Sequence, residues 1–136
     1  MEQFAAAQIN IDGTDKYIFK KHDGQSRISP HRFDWFGGEI LSFESNLMAL
    51  NRELQSKTSL NVARLRFERI GNFEVPEEYS STKKLIRVNL FETTILKRQL
   101  NFDVLEGSHS EPLTYDELLQ TNEVSSTLRY IIESAL

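Results

Sequence analysis

The chain of 136 residues has no cysteine. That excludes disulfides, zinc–thiolate centres and thiol nucleophiles. It has three prolines and six glycines, with no low-complexity tract, internal repeat or dividing linker. No apolar run reaches transmembrane length, and the opening MEQFAAAQINID has no basic leader. No membrane partner is expected, and a cytoplasmic location is the default. Positive charge is in deficit: 16 Lys and Arg against 20 Asp and Glu give a net charge of −4. Such a balance disfavours non-specific nucleic-acid binding, so no nucleic-acid partner is expected, although a local basic patch still suits one phosphorylated small molecule. There is no Gly-x-Ser-x-Gly elbow, no P-loop and no H-E-x-x-H, and His22, His31 and His109 fall in loop-like segments. What remains, 39% hydrophobic and 26% charged residues, is ordinary for a globular domain large enough to bury a core.

Periodicity supplies the elements. Phe4–Ile11 reads as a strand, turned at Asp12-Gly13 into a second over Tyr17–Lys21 that pairs with it. Residues 22–32 read as a loop, and Phe33–Phe36 is a short aromatic segment before Gly37-Gly38. Residues 45–58 form the first clear helix, with Leu47, Leu50 and Leu54 on one stripe and Ser45 as N-cap. Asn61–Phe73 reads as a strand, with Ala63, Leu65 and Phe67 alternating and a bulge at Ile70-Gly71. Pro76 ends it. Lys84–Leu96 is a long strand with Ile86, Val88 and Leu90 on one face, and Leu100–Leu105 is a further strand candidate. Thr114-x-x-Glu117 is a capping box that starts a helix near Tyr115. A last helix covers Ser125–Ala135, with Leu128, Ile131, Ile132 and Ala135 inward. Strands, helix, strands and two helices predict an α/β layered domain with a mixed sheet, not a doubly wound parallel one.

One constellation carries chemistry. Gly38 is followed after five residues by Glu44, then after seven by Arg52-Glu53-Leu54, and then by Leu60. This spacing resembles the Nudix box. Gly38, Glu44, Arg52, Glu53, Leu54 and Leu60 fit it, whereas Ser56, Lys57 and Ser59 stand where the box has two glutamates and a glycine. The aromatic run Phe33-Asp34-Trp35-Phe36 before Gly37-Gly38 is also similar to family members, with Phe36 in the usual proline place. The tail LTYDELLQTNEVSSTLRYII looks like the close of many Nudix domains, GDP-mannose mannosyl hydrolases among them, which also carry an altered box. The resemblance spans roughly residues 4–135 and implies one Nudix-like domain over 1–136, a mixed β-sheet between helices (an α+β sandwich).

Glutamates at helix positions i, i+3 and i+4 share a face, where three carboxylates bind Mg²⁺ or Mn²⁺ through oxygen. The metal then neutralises a diphosphate and activates water. Here those positions are Glu53, Ser56 and Lys57, so the formal charge of the face goes from −3 to zero. Even with full water screening, losing three negative units beside a divalent ion costs on the order of 5 kcal/mol. That is a thousandfold or more in affinity, roughly. Mg or Mn is therefore expected to bind weakly, through Glu53 alone. Glu53 and Lys57 are also an i, i+4 pair in the favourable orientation. Lys57 then either stands in for the cation against a ligand phosphate or makes a solvated surface salt bridge.

The resemblance implies Glu53 as the catalytic carboxylate, with Arg52 and Glu44 in the same constellation fixing the loop against the helix. It places Gly37 and Gly38 where backbone approaches ligand or metal, the alternative being a plain loop-to-helix turn. Phe33, Trp35 and Phe36 either offer a face to a nucleotide base or pack in the core. Lys20, Lys21, His22, Arg27, His31 and Arg32 make a basic region, either a phosphate loop or a solvated face. Asp103, Glu106, Glu111, Asp116 and Glu39 are candidate carboxylates from outside the box or ordinary surface acids. Two functions follow. One is a Nudix-type hydrolase of a nucleoside-diphosphate-linked compound with a degenerate metal site. The other is an inactive module binding a nucleotide-like ligand or a protein partner. A homodimer is compatible with the sequence, but no motif specifies one.

Overall fold

Strand β1 (Glu2–Ile11) runs through the middle of the main sheet, in parallel with β7 along its whole length, from Glu2↔Ile86 to Ile11↔Ile95. The computed structural model describes residues 1–26 and 29–136. The other long edge of β1 is shared by two short antiparallel strands. β2 (Tyr17–Ile18) takes its C-terminal end, and β5 (Phe36–Glu39) takes residues 4–7. β6 (Glu68–Val75) lies outside β7 (Ile86–Ile95), antiparallel to it. A second, small sheet has the order β4 (Phe33–Asp34), β3 (Lys20–His22), β8 (Gly107–His109). Helix α1 (Asn46–Lys57) packs on one face of the main sheet. α2 (Tyr115–Gln120), α3 (Ser126–Ala135) and residues around the small sheet cover the other. The result is the expected mixed sheet between helices. Among the described residues no helix is long and apolar enough to cross a membrane.

The layers follow from side-chain size. Ala5 and Ala7 are fully buried against Ala49 and Leu50 of α1, and three alanines at one contact let the helix sit close to the sheet. On the opposite face Ala6, Ile86, Val88 and Leu90 meet Leu118, Leu128, Ile131 and Ile132. With both faces covered, β1 and β7 are buried on both sides in their middle stretches, polar Gln8, Asn89 and Thr93 included. Ser45 Oγ accepts from Met48 N at 3.2 Å and starts α1. Thr114 and Glu117 form the capping box of α2.

Several expectations need correction. Only Tyr17–Ile18 pairs with β1; Phe19 then leaves, its N–H donating to Ser110 Oγ, and residues 20–22 join the small sheet. Leu47 is 45% exposed, and the buried stripe of α1 is Ala49, Leu50 and Leu54. Leu47, Asn51 and Gln55 instead line a groove against residues 60–67. The segment expected as a strand from Asn61 begins with a 3-10 turn at Val62–Arg64 and pairs only from Glu68. Leu60, Val62, Leu65 and Phe67 still pack together against Leu54 and Phe102. Their apolar spacing thus serves packing, with no neighbouring strand to make a ladder. The irregularity foreseen at Ile70-Gly71 is present as a register shift between Arg69 and Gly71. Leu100–Leu105 is not a strand but a loop with one β-bridge, Val104 to Thr58. The strand lies at β8, where Gly107 has φ +156° and a Cβ would stand 2.2 Å from Lys21 O. Ala135 is exposed at the end of α3.

Gly37 has φ +133°, and a Cβ there would stand 2.0 Å from Ala5 O. Gly37→Ala should therefore separate β5 from β1 and lower unfolding free energy by about 3 kcal/mol or more. Gly13 also has positive φ but open space around it. Gly13→Ala should cost only about 1 kcal/mol. Urea unfolding of the two variants checks the contrast.

Candidate functional site

The box residues assemble around Arg52. Its Nε donates to Glu44 Oε2 at 2.7 Å and its Nη2 to Glu44 Oε1 at 3.0 Å, a two-pronged contact. Nη2 also donates to the Glu39 carbonyl at 2.9 Å, and Nη1 to Glu53 Oε1 at 2.7 Å. The Glu44 carboxylate in turn accepts from Leu41 N at 2.9 Å. One guanidinium thereby ties the loop after β5 to α1 and orients Glu53. The Glu44 side chain is only 4% exposed. Arg52, and then the Leu41 amide, hold its carboxyl below the usual glutamate range, while the Arg52 guanidinium is pushed up, chiefly by Glu44. The expected role of Glu44 and Arg52 in fixing the loop has a direct geometric counterpart.

Gly38 is a glycine for a different reason from Gly37. A Cβ there would lie 2.6 Å from both Cδ and Oε1 of Glu53. The absent side chain is the space into which the Glu53 carboxylate folds. Glu53 is 16% exposed.

The rest of the helix face is not built of carboxylates. Ser56 Oγ turns back to donate to Arg52 O at 2.7 Å. Lys57 does not pair with Glu53; its Nζ lies 3.4 Å from Glu106 Oε2. The correction has a clear cause. Arg52 already occupies Glu53, and the 100–106 loop is docked on the end of α1. Ser59 N donates to Asp103 O at 3.0 Å, Asp103 N to Ser59 Oγ at 2.7 Å, and Leu105 N to Lys57 O at 2.8 Å. Of the downstream acids, this brings Glu106 to the helix. Among the described residues no group of three or more His, Asp or Glu is placed to hold a metal ion. The donor set at this face, one arginine-bound carboxylate, one hydroxyl and one ammonium, does not fit Mg²⁺ or Mn²⁺.

Beside it lies a cleft of about 150 Å³ between β1, β7, the small sheet and α3. Its floor is Phe4, Ala6, Ile86 and Val88; its walls include Trp35, Gly37, Gly38, Lys20, His22 and Asp34, with Ser81, Thr82 and Thr127 on α3's side. Trp35 is 5% exposed, and its indole Nε1 is buried with no partner among the described residues. Phe36 packs against Phe102 in the core, and half-buried Phe33 lies under Lys21 Nζ, 5.2 Å from the ring centroid. So, of the three aromatics, Trp35 belongs to the cleft wall, Phe36 bridges wall and core, and Phe33 is not among the lining residues.

The basic region is largely taken up elsewhere. Lys21 pairs with Glu123 at 3.1 Å, and Arg32 donates to the carbonyls of Asn122 and Val124. Arg27 lies outside the described residues. His22 Nε2 stands 3.6 Å from Asp34 Oδ2 at the cleft. Lys20 is the residue sequence reasoning undervalued. It is half-buried and lines the cleft, and the charges about it are Lys57, Glu53, Glu106 and Asp34. Burial first, and then Lys57, hold its ammonium below the usual lysine value; the three carboxylates act the other way. The signal that could have found it is β3 itself: alternation in a short strand turns Lys20 and His22 to one side and Lys21 to the other.

No protein-family model and no curated protein sequence matches the chain. Solved structures do. A MutT protein from Methanosarcina mazei Go1 superposes with a TM-score of 0.76 at 15% identity, over 97% of this chain and 90% of that one. A mutT/nudix family protein from Listeria innocua gives 0.71 at 15%, over 98% and 90%. A bifunctional NMN adenylyltransferase/ADP ribose pyrophosphatase from Francisella tularensis, solved with AMP and a Mn ion, gives 0.71 at 12%, over 97% and 40%. The protein has the Nudix fold. At these identities the likeness is one of fold.

The low-lying carboxyl of Glu44 makes a pH prediction. Stability from the Arg52 contact is fully present above the unfolded glutamate pKa, about 4.3, and is lost as pH falls through the lowered folded value. Glu44→Gln should remove part of the acid destabilisation of the wild type between about pH 5 and pH 1. The residue left should include Glu117, also lowered, chiefly by the Thr114 amide. Urea midpoints across that range measure it.

Proposed function

We propose that the cleft binds a nucleotide-like, nucleoside-diphosphate-linked compound, and that metal-dependent hydrolysis is weak or lost because the box is degenerate. The observation that carries this reading is the pairing of an apolar, tryptophan-walled cleft with a lysine at its mouth, next to a box helix whose carboxylates are down to one. The free Trp35 N–H and the hydroxyls of Ser81, Thr82 and Thr127 suit the acceptors and donors of a base or ribose. Gly37 and Gly38 line the cleft and bring backbone to the side proposed for the ligand's phosphate end. The likeness of the fold to a MutT protein, and to a bifunctional NMN adenylyltransferase/ADP ribose pyrophosphatase solved with AMP and a Mn ion, supports a nucleotide ligand. Within this reading Glu53 is a weak metal ligand at most, Arg52 and Glu44 hold it in place, and residues 1–136 act as one domain.

A second reading, a module that docks a protein partner, has its own observation. Leu41, Phe43, Leu47 and Met48 are exposed apolar side chains around the start of α1, Phe43 by 77%. Such a cluster is the kind of surface that partners cover.

Thermal shifts with AMP, ADP, ADP-ribose and nucleotide sugars, together with phosphate or nucleotide release in Mg²⁺ and Mn²⁺, separate the alternatives. Ligand stabilisation by mass action without turnover is expected. Fast metal-dependent hydrolysis of any of them overturns the inactive-site half of the proposal. Stabilisation by none overturns the binding half and leaves the docking module. Ser56→Glu with Lys57→Glu should raise Mn²⁺ affinity by about three orders of magnitude or more, what restoring three negative units supplies. Calorimetry of the double variant measures that change.

A further inference from the structure

We infer that Lys20 is the built-in counter-cation for the ligand's phosphate, so that binding in the cleft proceeds without a divalent metal and is weakened by one. This rests on the reading of the cleft as a nucleotide site and names what replaces the ion there.

The cationic groups near the cleft sort themselves by partner. Arg52 is spent on Glu44, Glu53 and the Glu39 carbonyl. Lys57 has Glu106, and Lys21 has Glu123. Lys20 has no ion pair within 4 Å among the described residues, yet it is half-buried in the cleft wall. Burial strips water from its ammonium and Lys57 repels it, while Glu53, Glu106 and Asp34 act the other way without reaching ion-pair distance. A phosphate in the cleft gives the ammonium the direct anionic contact that these carboxylates do not. Lys20 lines the same cleft as Gly37 and Gly38. Charge-assisted contacts of this kind are about twice as strong as neutral ones. A phosphate already carrying Mg²⁺ loses most of the attraction and brings a second cation towards Lys20 and Lys57. The metal dependence is thus the reverse of that of a carboxylate box.

The test uses ADP, with adenosine as the probe lacking phosphate, titrated calorimetrically into the whole protein in EDTA and in excess Mg²⁺. Wild type should bind ADP in EDTA and bind it several-fold more weakly in Mg²⁺. Lys20→Ala should weaken ADP about tenfold or more and leave adenosine unchanged. Lys20→Arg should retain most of the ADP affinity. Lys57→Ala should have a smaller effect than Lys20→Ala. The Mg²⁺ comparison on wild type needs no variant, so poor folding of one substitution does not remove the test. ADP binding that appears only with Mg²⁺ overturns the role of Lys20 while leaving a nucleotide cleft. Equal ADP affinity of Lys20→Ala and wild type does the same. If neither probe binds under either condition, the cleft reading itself has failed and this inference with it.

Discussion

Arg52 is the constraint on which the functional end of the molecule depends. A guanidinium offers a rigid fork of five N–H donors, and four of them are used here. Two prongs meet Glu44, one meets the Glu39 carbonyl and one meets Glu53. A loop that leaves a sheet edge, a helix on the sheet's face and a carboxylate at the cleft become one rigid piece. A lysine in the same place would bring a point charge and could not hold three partners in one plane. The close fit of Gly37 and Gly38 against β1 and Glu53 completes the piece, because β5 can carry the loop only where the missing side chains allow it.

This rigidity has a chemical consequence. A carboxylate bound at 2.7 Å by arginine has given one oxygen to an internal partner and presents less charge to an outside ion. In an intact box, two further glutamates share the task. Here Ser56 bonds back to its own helix, and Lys57 reaches over to Glu106. The departures from the box are therefore absorbed into structure. Ser59, at the box's glycine position, exchanges hydrogen bonds with Asp103 and fastens the loop that delivers Glu106. Ser56, Lys57 and Ser59, the three positions that differ from the box, thus bond within the helix or to the loop docked over its end.

Legibility in the sequence followed the range of the forces involved. Elements governed by near neighbours were readable: the Ser45 cap, the Thr114–Glu117 box, the alternation of Ile86, Val88 and Leu90 in β7 and the stripe of α3. The spacing from Gly38 through Glu44 to Arg52 pointed to a clamp, and the clamp is present. Failures came where distant chain decides. Leu60 to Phe67 has the spacing of a strand but meets no neighbouring strand before Glu68. Lys57 has an ideal helical partner in Glu53, but a nearly rigid arginine wins that carboxylate and a residue 49 positions away wins the lysine. A few tenths of a kcal/mol from i, i+4 pairing does not hold Glu53 against the part-buried, charge-assisted contact from Arg52 at 2.7 Å.

Lys20 shows the limit most sharply. In sequence it is one cation among several in a basic run, with nothing to separate it from Lys21. The fold separates them by strand alternation: Lys21 goes outward to Glu123 and the Phe33 ring, and Lys20 goes inward to the cleft. A site that has lost its carboxylates cannot recruit a cation from solution, but it can carry one of its own. A buried carboxylate triad needs Mg²⁺ before it can face a diphosphate; a buried ammonium already has the sign the diphosphate requires. What the fixed cation lacks is the ability to polarise and ionise a water molecule. On the proposed reading, the exchange that would let the cleft hold a phosphate without metal also takes away the means of hydrolysing it, so that binding and inactivity share one cause.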